Sequence, residues 1–359
     1  MNPRIDINLD KIKHNAEVLL ELCRPYNLSV AAVTKGFCGK PEIAEVLVEA
    51  GVRYLADSRL ENFVKMKDLP VEKLLLRLPM ISQAKEVVTY ADISLNSELE
   101  TIKALNAAAE DISTTHKIIL MLDLGDLREG IFDAVELEKA AREIKGLSNI
   151  DLIGVGTNLT CYGGVIPNED NLGQLVETAS KIEEILGKKL EIISGGNSSS
   201  VYLLMNNKMP KGINHIRLGE AILLGSETAY GDAIPNTHQD AFQLVAEVIE
   251  LKEKPSVPIG EIGRDAFGNV PTFVDKGTHK RGILAVGKQD ITTHPITPVD
   301  QQIEILGGSS DHLIVDFTKC DKEYKVGDEV VFNIGYGAML ALMTSEYIHK
   351  NYVSVGRFV

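Results

Sequence analysis

A closed (β/α)8 barrel of the TIM type, followed by a smaller, mostly-β C-terminal domain, is the fold class that this 359-residue sequence predicts. Three observations predict it. Eight short runs rich in Val, Ile and Leu alternate with helical patterns between residues 29 and 225. No G-x-G-x-x-G follows the first run, which removes the main support for the alternative, an open doubly wound sheet. After residue 225 the texture changes to closely spaced alternating runs broken by Gly and Pro. Parallel strands need crossover helices, and eight of them close efficiently into a barrel.

The elements follow in order. RIDINLD at the start alternates and is expected to pair with the second domain, leaving the first barrel helix at 10–24. The predicted barrel strands are 29–34 (SVAAVT), 53–56 (RYLA), 73–78 (KLLLRL), 92–95 (DISL), 117–123 (KIILMLD), 151–157 (DLIGVGT), 190–194 (LEIIS) and 215–218 (HIRL). Between them lie amphipathic segments such as KPEIAEVLVEAG and LGQLVETASKIEEILG. The β domain is predicted from FQLVAEVIEL, TFVDK, GILAVG, QIEILG, HLIVDF and EVVFNIG. The barrel is thus expected over 8–230 and the β domain over 231–359 together with 1–7.

Composition narrows the function classes. A hydrophobic share of 44% with 25% charged residues describes an ordinary globular protein. The net charge of −14, with basic residues scattered, repels nucleic acid and anionic lipid. MNPRIDINLD has no apolar signal region and no later stretch could span a membrane, so a cytoplasmic location is expected. Cys23, Cys38, Cys161 and Cys320 lie far apart with no CxxC pair, so neither a disulfide framework nor a metal site is expected.

Barrel enzymes build their sites at the C-terminal ends of the strands. Lys35 ends the first strand, where it is expected to be partly desolvated and suited to imine chemistry with an aldehyde. After the seventh strand, Ser194-Gly-Gly-Asn-Ser198-Ser-Ser opens a helix whose free N–H groups and dipole could hold a phosphate. Arg217 and Gly219 follow the eighth strand, Arg-Leu-Gly-Glu again allowing close backbone approach. Asp126, Arg128 and Glu129 follow the fifth strand and Asn158 the sixth. Each has a plain structural reading as a cap, loop or ion pair. Their joint occurrence, one set per strand end, points to a cofactor site.

On these residues the chain resembles the alanine racemase family of fold-type III pyridoxal-phosphate enzymes, on its ornithine racemase branch. The resemblance rests on AVTKGFCGKPEIAEVLVEAG, ADSRLEN, DLGDLREGIF, ISGGNSSS, HIRLGEAILLG, ILAVGKQD and LGGSSDHLIVDF, and spans essentially the full length. It implies pyridoxal 5'-phosphate held by Lys35 as a Schiff base, with Lys35 also moving the α-proton on one face. Arg128 would meet the cofactor's phenolic oxygen or the substrate carboxylate, Asn158 would lie near the ring, and Ser198 and Gly219 would hold phosphate. Arg217 would face the pyridine nitrogen and keep it unprotonated, which limits the electron sink and protects racemisation from transamination.

The pattern also departs from the family. Lys35 is followed by Gly-Phe-Cys-Gly-Lys, without the usual phosphate-binding Tyr, and Val257-Pro-Ile-Gly260 has no Tyr where the second catalytic base is expected. Tyr336 in Gly-Tyr-Gly is the candidate, with His279 behind it. The resemblance implies a homodimer in which the β domain of one copy covers the barrel of the other, and places Asp311 at the shared entrance. For a substrate with a side-chain ammonium, Asp126, Glu129, Asp290 and Asp311 are the carboxylates available. The reaction implied is racemisation of a small amino acid, ornithine first, lysine second, alanine third. The alternatives are a lyase such as a D-threonine aldolase or D-serine dehydratase, for which His238-Gln-Asp240 is the metal candidate, and a non-catalytic cofactor-binding protein.

Overall fold

In the computed structural model, which describes residues 1–291 and 296–354, the chain divides into two compact units, Asp10–Gln239 and Met1–Leu9 with Asp240–Val359. Strand β1 (Arg4–Asn8) belongs to the second of these. The first is a closed barrel of eight parallel strands, β2 (Ser29–Val33), β3 (Tyr54–Asp57), β4 (Glu72–Leu75), β5 (Ile93–Asn96), β6 (His116–Leu122), β7 (Ile150–Thr157), β8 (Ile192–Ser194) and β9 (His215–Leu218). β9 closes on β2 with Ala31 opposite Arg217 and Ala32 opposite Leu218. All eight coincide with the predicted runs. The third, β4, stops early, at Leu75; Leu76 and Leu78 still pack on the barrel core.

Helices α1 (Leu9–Cys23), α2 (Pro41–Ala50), α3 (Leu60–Lys65), α4 (Ala84–Tyr90), α5 (Leu99–Asp111), α6 (Ala134–Lys145) and α7 (Glu169–Leu186) occupy the crossovers, with two short ones, α8 (Val201–Met205) and α9 (Glu220–Leu224), near the end. Local chemistry sets their ends. Pro41 opens α2 at a position whose N–H has no partner, and Gly51 closes it at φ 101°, where a side chain would be strained. Asn168 caps α7 by accepting from the N–H of Asn171, whose side chain accepts in return from the Asn168 N–H.

Alternate strand residues fill the barrel. Ala31, Val33, Tyr54, Ala56, Leu74, Ile93, Leu95, Ile119, Met121, Ile153 and Ile192 form one buried cluster. Each fully buried Ile or Leu contributes about 1.5–3 kcal/mol. The interior is therefore solid, and only the rim is open to chemistry.

The second unit is an eight-stranded, largely antiparallel sheet built on β10 (Phe242–Pro255), which pairs with β1, β11 (Thr278–Leu284) and β15 (Glu329–Ile334). β12 (Ile296–Pro298), β13 (Glu304–Gly308), β14 (Leu313–Asp316) and β16 (His349–Val353) complete it, β16 lying parallel to β1. The opening residues thus join this sheet, as the alternation predicts. TFVDK forms no strand: Phe273 and Val274 lie exposed in an irregular stretch. Helix α10 (Tyr336–Thr344) is a further difference, an almost wholly apolar segment with no polar face to reveal its period. Among the described residues no helix is long and apolar enough to cross a membrane.

Candidate active site

Thr34, buried and directly beyond β2, positions the first rim residue. Its hydroxyl donates to Asp57 Oδ2 at 2.5 Å, and its N–H donates to Ala56 O at 2.8 Å. Asp57 is fully buried at the end of β3 and also accepts from the Arg59 N–H at 2.9 Å and from Asn62 Nδ2 at 3.0 Å. Burial pushes its carboxyl upward, against those hydrogen bonds. Gly39, at φ 59°, closes the turn where a Cβ would stand 2.6 Å from Asn62 Cβ. Lys35 therefore leaves a rigid anchor, in a single 3-10 turn Lys35–Phe37. In the chain by itself its side chain is exposed, not partly desolvated as expected, because it lies past the strand on the open rim.

Arg217, on β9 beside β2, is buried. Its guanidinium donates to Ser194 Oγ and, at 2.7 Å, to Thr157 O, with Asn158 Oδ1 at 3.5 Å. Burial pulls its pKa down to about 10, opposed by Glu129, so the group stays cationic near neutral pH. Ser194 Oγ also lies 2.8 Å from His215 Nδ1. The serine accepts from Arg217, and His215 is neutral. Burial drives the His215 pKa to about 3, and its ring meets Tyr54 edge-on at 5.4 Å. Asn158 accepts from Asn197 Nδ2 at 2.7 Å, and both amides donate to Cys161 Sγ at 3.3 Å.

Beyond β8 the chain presents bare backbone. Gly196 has φ 104°, and a Cβ there would lie 2.7 Å from Ser200 Oγ. Asn197 caps the turn by accepting from the Ser199 N–H at 2.8 Å. The Ser198 hydroxyl receives the N–H groups of Gly219 (3.3 Å) and Ala221 (3.1 Å), and the buried Ser199 hydroxyl has no partner. A Cβ on Gly219 would stand 3.1 Å from Val33 Cβ. Because α8 and α9 have five residues each, their dipoles are small; any anion here is held by these discrete N–H and O–H groups instead.

The loop after β6 supplies two charges. Arg128 is exposed, and its Nη2 donates to Glu129 Oε1 at 2.8 Å while Nη1 lies 2.6 Å from Oε2. Glu129 is mostly covered, and burial raises its carboxyl against the fields of Arg128, Arg217 and Lys35. Asp126 is fully engaged elsewhere. Its Oδ1 accepts from the N–H groups of Thr160 and Val165 at 3.0 Å each, and its Oδ2 from Cys161 (3.1 Å) and Tyr162 (2.9 Å). Burial alone would raise this carboxyl, but the four backbone donors leave it lowered.

One end of the barrel thus gathers Lys35, Arg128, Asn158, Ser198, Arg217 and Gly219. Residues 7–227 match the family model described as alanine racemase, N-terminal domain. The chain belongs to the alanine racemase family. It is 50% identical to the ornithine racemase of Acetoanaerobium sticklandii, covering 98% of this chain and 99% of that protein. It is 41% identical to the lysine racemase of Thermotoga maritima, covering 98% of each. Among solved structures it is similar to alanine racemase from Bartonella henselae with covalently bound pyridoxal phosphate, with a TM-score of 0.75 at 18% identity over 98% of this chain and 100% of that one.

In this alanine racemase family chain Tyr336, Asp311, Asp290 and His279 lie in the second unit, whereas His238 lies in the barrel unit. Tyr336 is half-buried at the first turn of α10. Asp311 is exposed and accepts from Ser310 Oγ at 3.0 Å. Asp290 is buried against Ser345 Oγ at 2.6 Å. His279 is buried, with Nδ1 2.5 Å from Asp316 Oδ2. His238 packs its ring against His14 at 5.0 Å. Ser194, His215, Asn197 and Asp57 were not singled out from the sequence. The signal for His215 was there: it lies two residues before Arg217 on one strand, hence on the same face.

Proposed function

We propose that this chain is a pyridoxal-5'-phosphate-dependent amino-acid racemase that interconverts the L and D forms of a basic amino acid, ornithine first and lysine second. The observation that carries the reading is the placement of Lys35 just beyond β2, beside the strand β9 that bears Arg217 and leads into Gly219. The two full-length racemase relatives support the same substrate order.

The donor set fits a phosphorylated aldehyde. The N–H groups of Gly219 and Ala221 both donate to the Ser198 hydroxyl, the Ser199 hydroxyl is buried without a partner, and the Gly219 position is tight for a side chain. When bound, pyridoxal phosphate supplies an electron sink that acidifies the α-hydrogen of the attached amino acid. Lys35 would offer its amine to the aldehyde and take the α-proton on one face. Ser198 and Gly219 would hold the phosphate. Arg217 can only donate, so a pyridine nitrogen facing it would stay unprotonated, and Ser194, Thr157 and Asn158 keep the guanidinium aimed. Asn158 would lie beside the ring, and Arg128 would meet the substrate carboxylate.

Proton transfer on both faces needs a second group, and the Tyr336 hydroxyl of a second copy is our assignment, with Asp311 at the shared entrance. The active form is then a cytoplasmic homodimer. The test is an α-proton exchange screen of L-amino acids in D2O read by NMR. Ornithine should exchange fastest and reach equal amounts of both enantiomers. Lys35→Ala should lose both exchange and the near-visible absorbance of the lysine-bound cofactor; full racemase activity in that variant would refute the reading.

A further inference from the structure

We infer that Glu129 is a positioning residue that holds Arg128 for the substrate's α-carboxylate. The inference rests on the racemase reading above and deepens it. Arg128 is an exposed cation on the rim, with 41% of its side chain exposed, whereas 12% of the Glu129 side chain is exposed. The carboxylate lies under the guanidinium with both oxygens engaged, Oε1 at 2.8 Å and Oε2 at 2.6 Å. Oε2 is fully covered and, although in ion contact, receives no hydrogen bond of proper geometry.

Burying a carboxylate is costly, and a pair of adjacent residues in a surface loop does little for the fold. What this pair does is fix a guanidinium that would otherwise sweep through solvent on a long side chain. Glu129 occupies the Nη1–Nη2 edge of the planar fork, which leaves the Nε edge of the guanidinium for a second carboxylate.

The other carboxylates near this loop do not compete for the task. Asp126 has all its acceptor positions directed at the Thr160–Val165 backbone, and Asp123 accepts from the N–H groups of Gly125 (2.9 Å) and Leu127 (3.1 Å). A direct contact between Glu129 and the substrate's side-chain ammonium is the rival role. It is disfavoured because Oε2 is sealed and three cations, Arg128, Arg217 and Lys35, already surround the carboxylate.

The test is kinetic, on holoenzyme. Glu129→Gln, isosteric and uncharged, should raise the KM for ornithine by about tenfold to a hundredfold, the loss of one well-aimed charge-assisted bond. The kcat should stay within about twofold, as for an interaction made equally in ground and transition states. Competitive inhibition by 1,4-diaminobutane, which keeps both amines and lacks the carboxylate, should be unchanged, and the cofactor absorbance should be retained. In an Arg128→Gln background the Glu129→Gln effect should vanish.

Equal weakening of ornithine and 1,4-diaminobutane, or full additivity with Arg128→Gln, overturns the inference, as does an unaltered KM. Wild-type protein that exchanges no amino acid's α-proton overturns the racemase reading together with it. Normal wild-type exchange with an indifferent Glu129→Gln overturns only the Glu129 assignment.

Discussion

Replacing Asp126 by Asn should loosen the loop after β7 while leaving the barrel folded. The native carboxylate accepts four backbone N–H groups, from Thr160 and Val165 on Oδ1 and from Cys161 and Tyr162 on Oδ2. Asn keeps one carbonyl oxygen for two of them and turns an NH2 group on the other two, so donors face donors. Hydrogen bonds to a charged group are worth about 1.5–3 kcal/mol each, and losing two costs about 3 kcal/mol or more. At 1.4 kcal/mol per decade this is roughly a hundredfold in a local opening equilibrium. Native-state amide exchange reads that equilibrium directly: Cys161 and Tyr162 should lose about two decades of protection, while β6 and β7 amides hold theirs. Asn158 and Cys161 ride on this loop beside Asn197, so amino-acid turnover should fall with it. Unchanged protection at Cys161 and Tyr162 would refute the reasoning, since it would mean that the loop is held by something other than the carboxylate.

Gly219→Ala places a Cβ 3.1 Å from Val33 Cβ, so overpacking of about 1–3 kcal/mol should push the phosphate-facing N–H off its line; cofactor affinity, measured by absorbance titration, should drop about tenfold or more. Wild-type affinity would place the phosphate elsewhere. Glu220 has its pKa raised by burial from 4.5 to about 7. The folded state binds more protons than the unfolded one across that window, so stability present below about 4.5 is lost as pH rises towards 7. Thermal melts of Glu220→Gln should lack that component of the decline, and melting curves parallel to wild type at every pH would count against it.

The barrel strands were legible because parallel strands buried on both faces are short continuous apolar runs. The rim residues were legible for a related reason. A Lys, Arg or Asn at the C-terminal end of such a run is placed by the strand that carries it, as Lys35, Asn158 and Arg217 are. Side chains acting through others were not legible. Asp57 lies in ADSRLEN without sign that it receives the Thr34 hydroxyl from the neighbouring strand, since the β2–β3 register brings them together and no local pattern encodes it. Asp126 read as a substrate acid because acidic type is visible and saturation is not. In the β domain the signal was weaker still. TFVDK alternates as a strand does yet has no ladder, and α10 carries nine residues with too few polar ones to mark a face.

Charge ties these parts together. The chain carries −14 overall, yet at its barrel rim the fields of three cations, Lys35, Arg128 and Arg217, act on Glu129. The support behind Arg217 is neutral: Ser194, a carbonyl, an amide and a histidine whose pKa of about 3 keeps it uncharged. A carboxylate there would cancel the guanidinium and could pass a proton to a ring nitrogen facing it. Neutral partners fix its direction and leave its charge to act outward. Low-dielectric walls focus such a field at the mouth, so under the racemase reading the overall charge would repel polyanions at long range while the rim would draw in one phosphate and one carboxylate. A small zwitterion satisfies both conditions, and a polymer of phosphates does not.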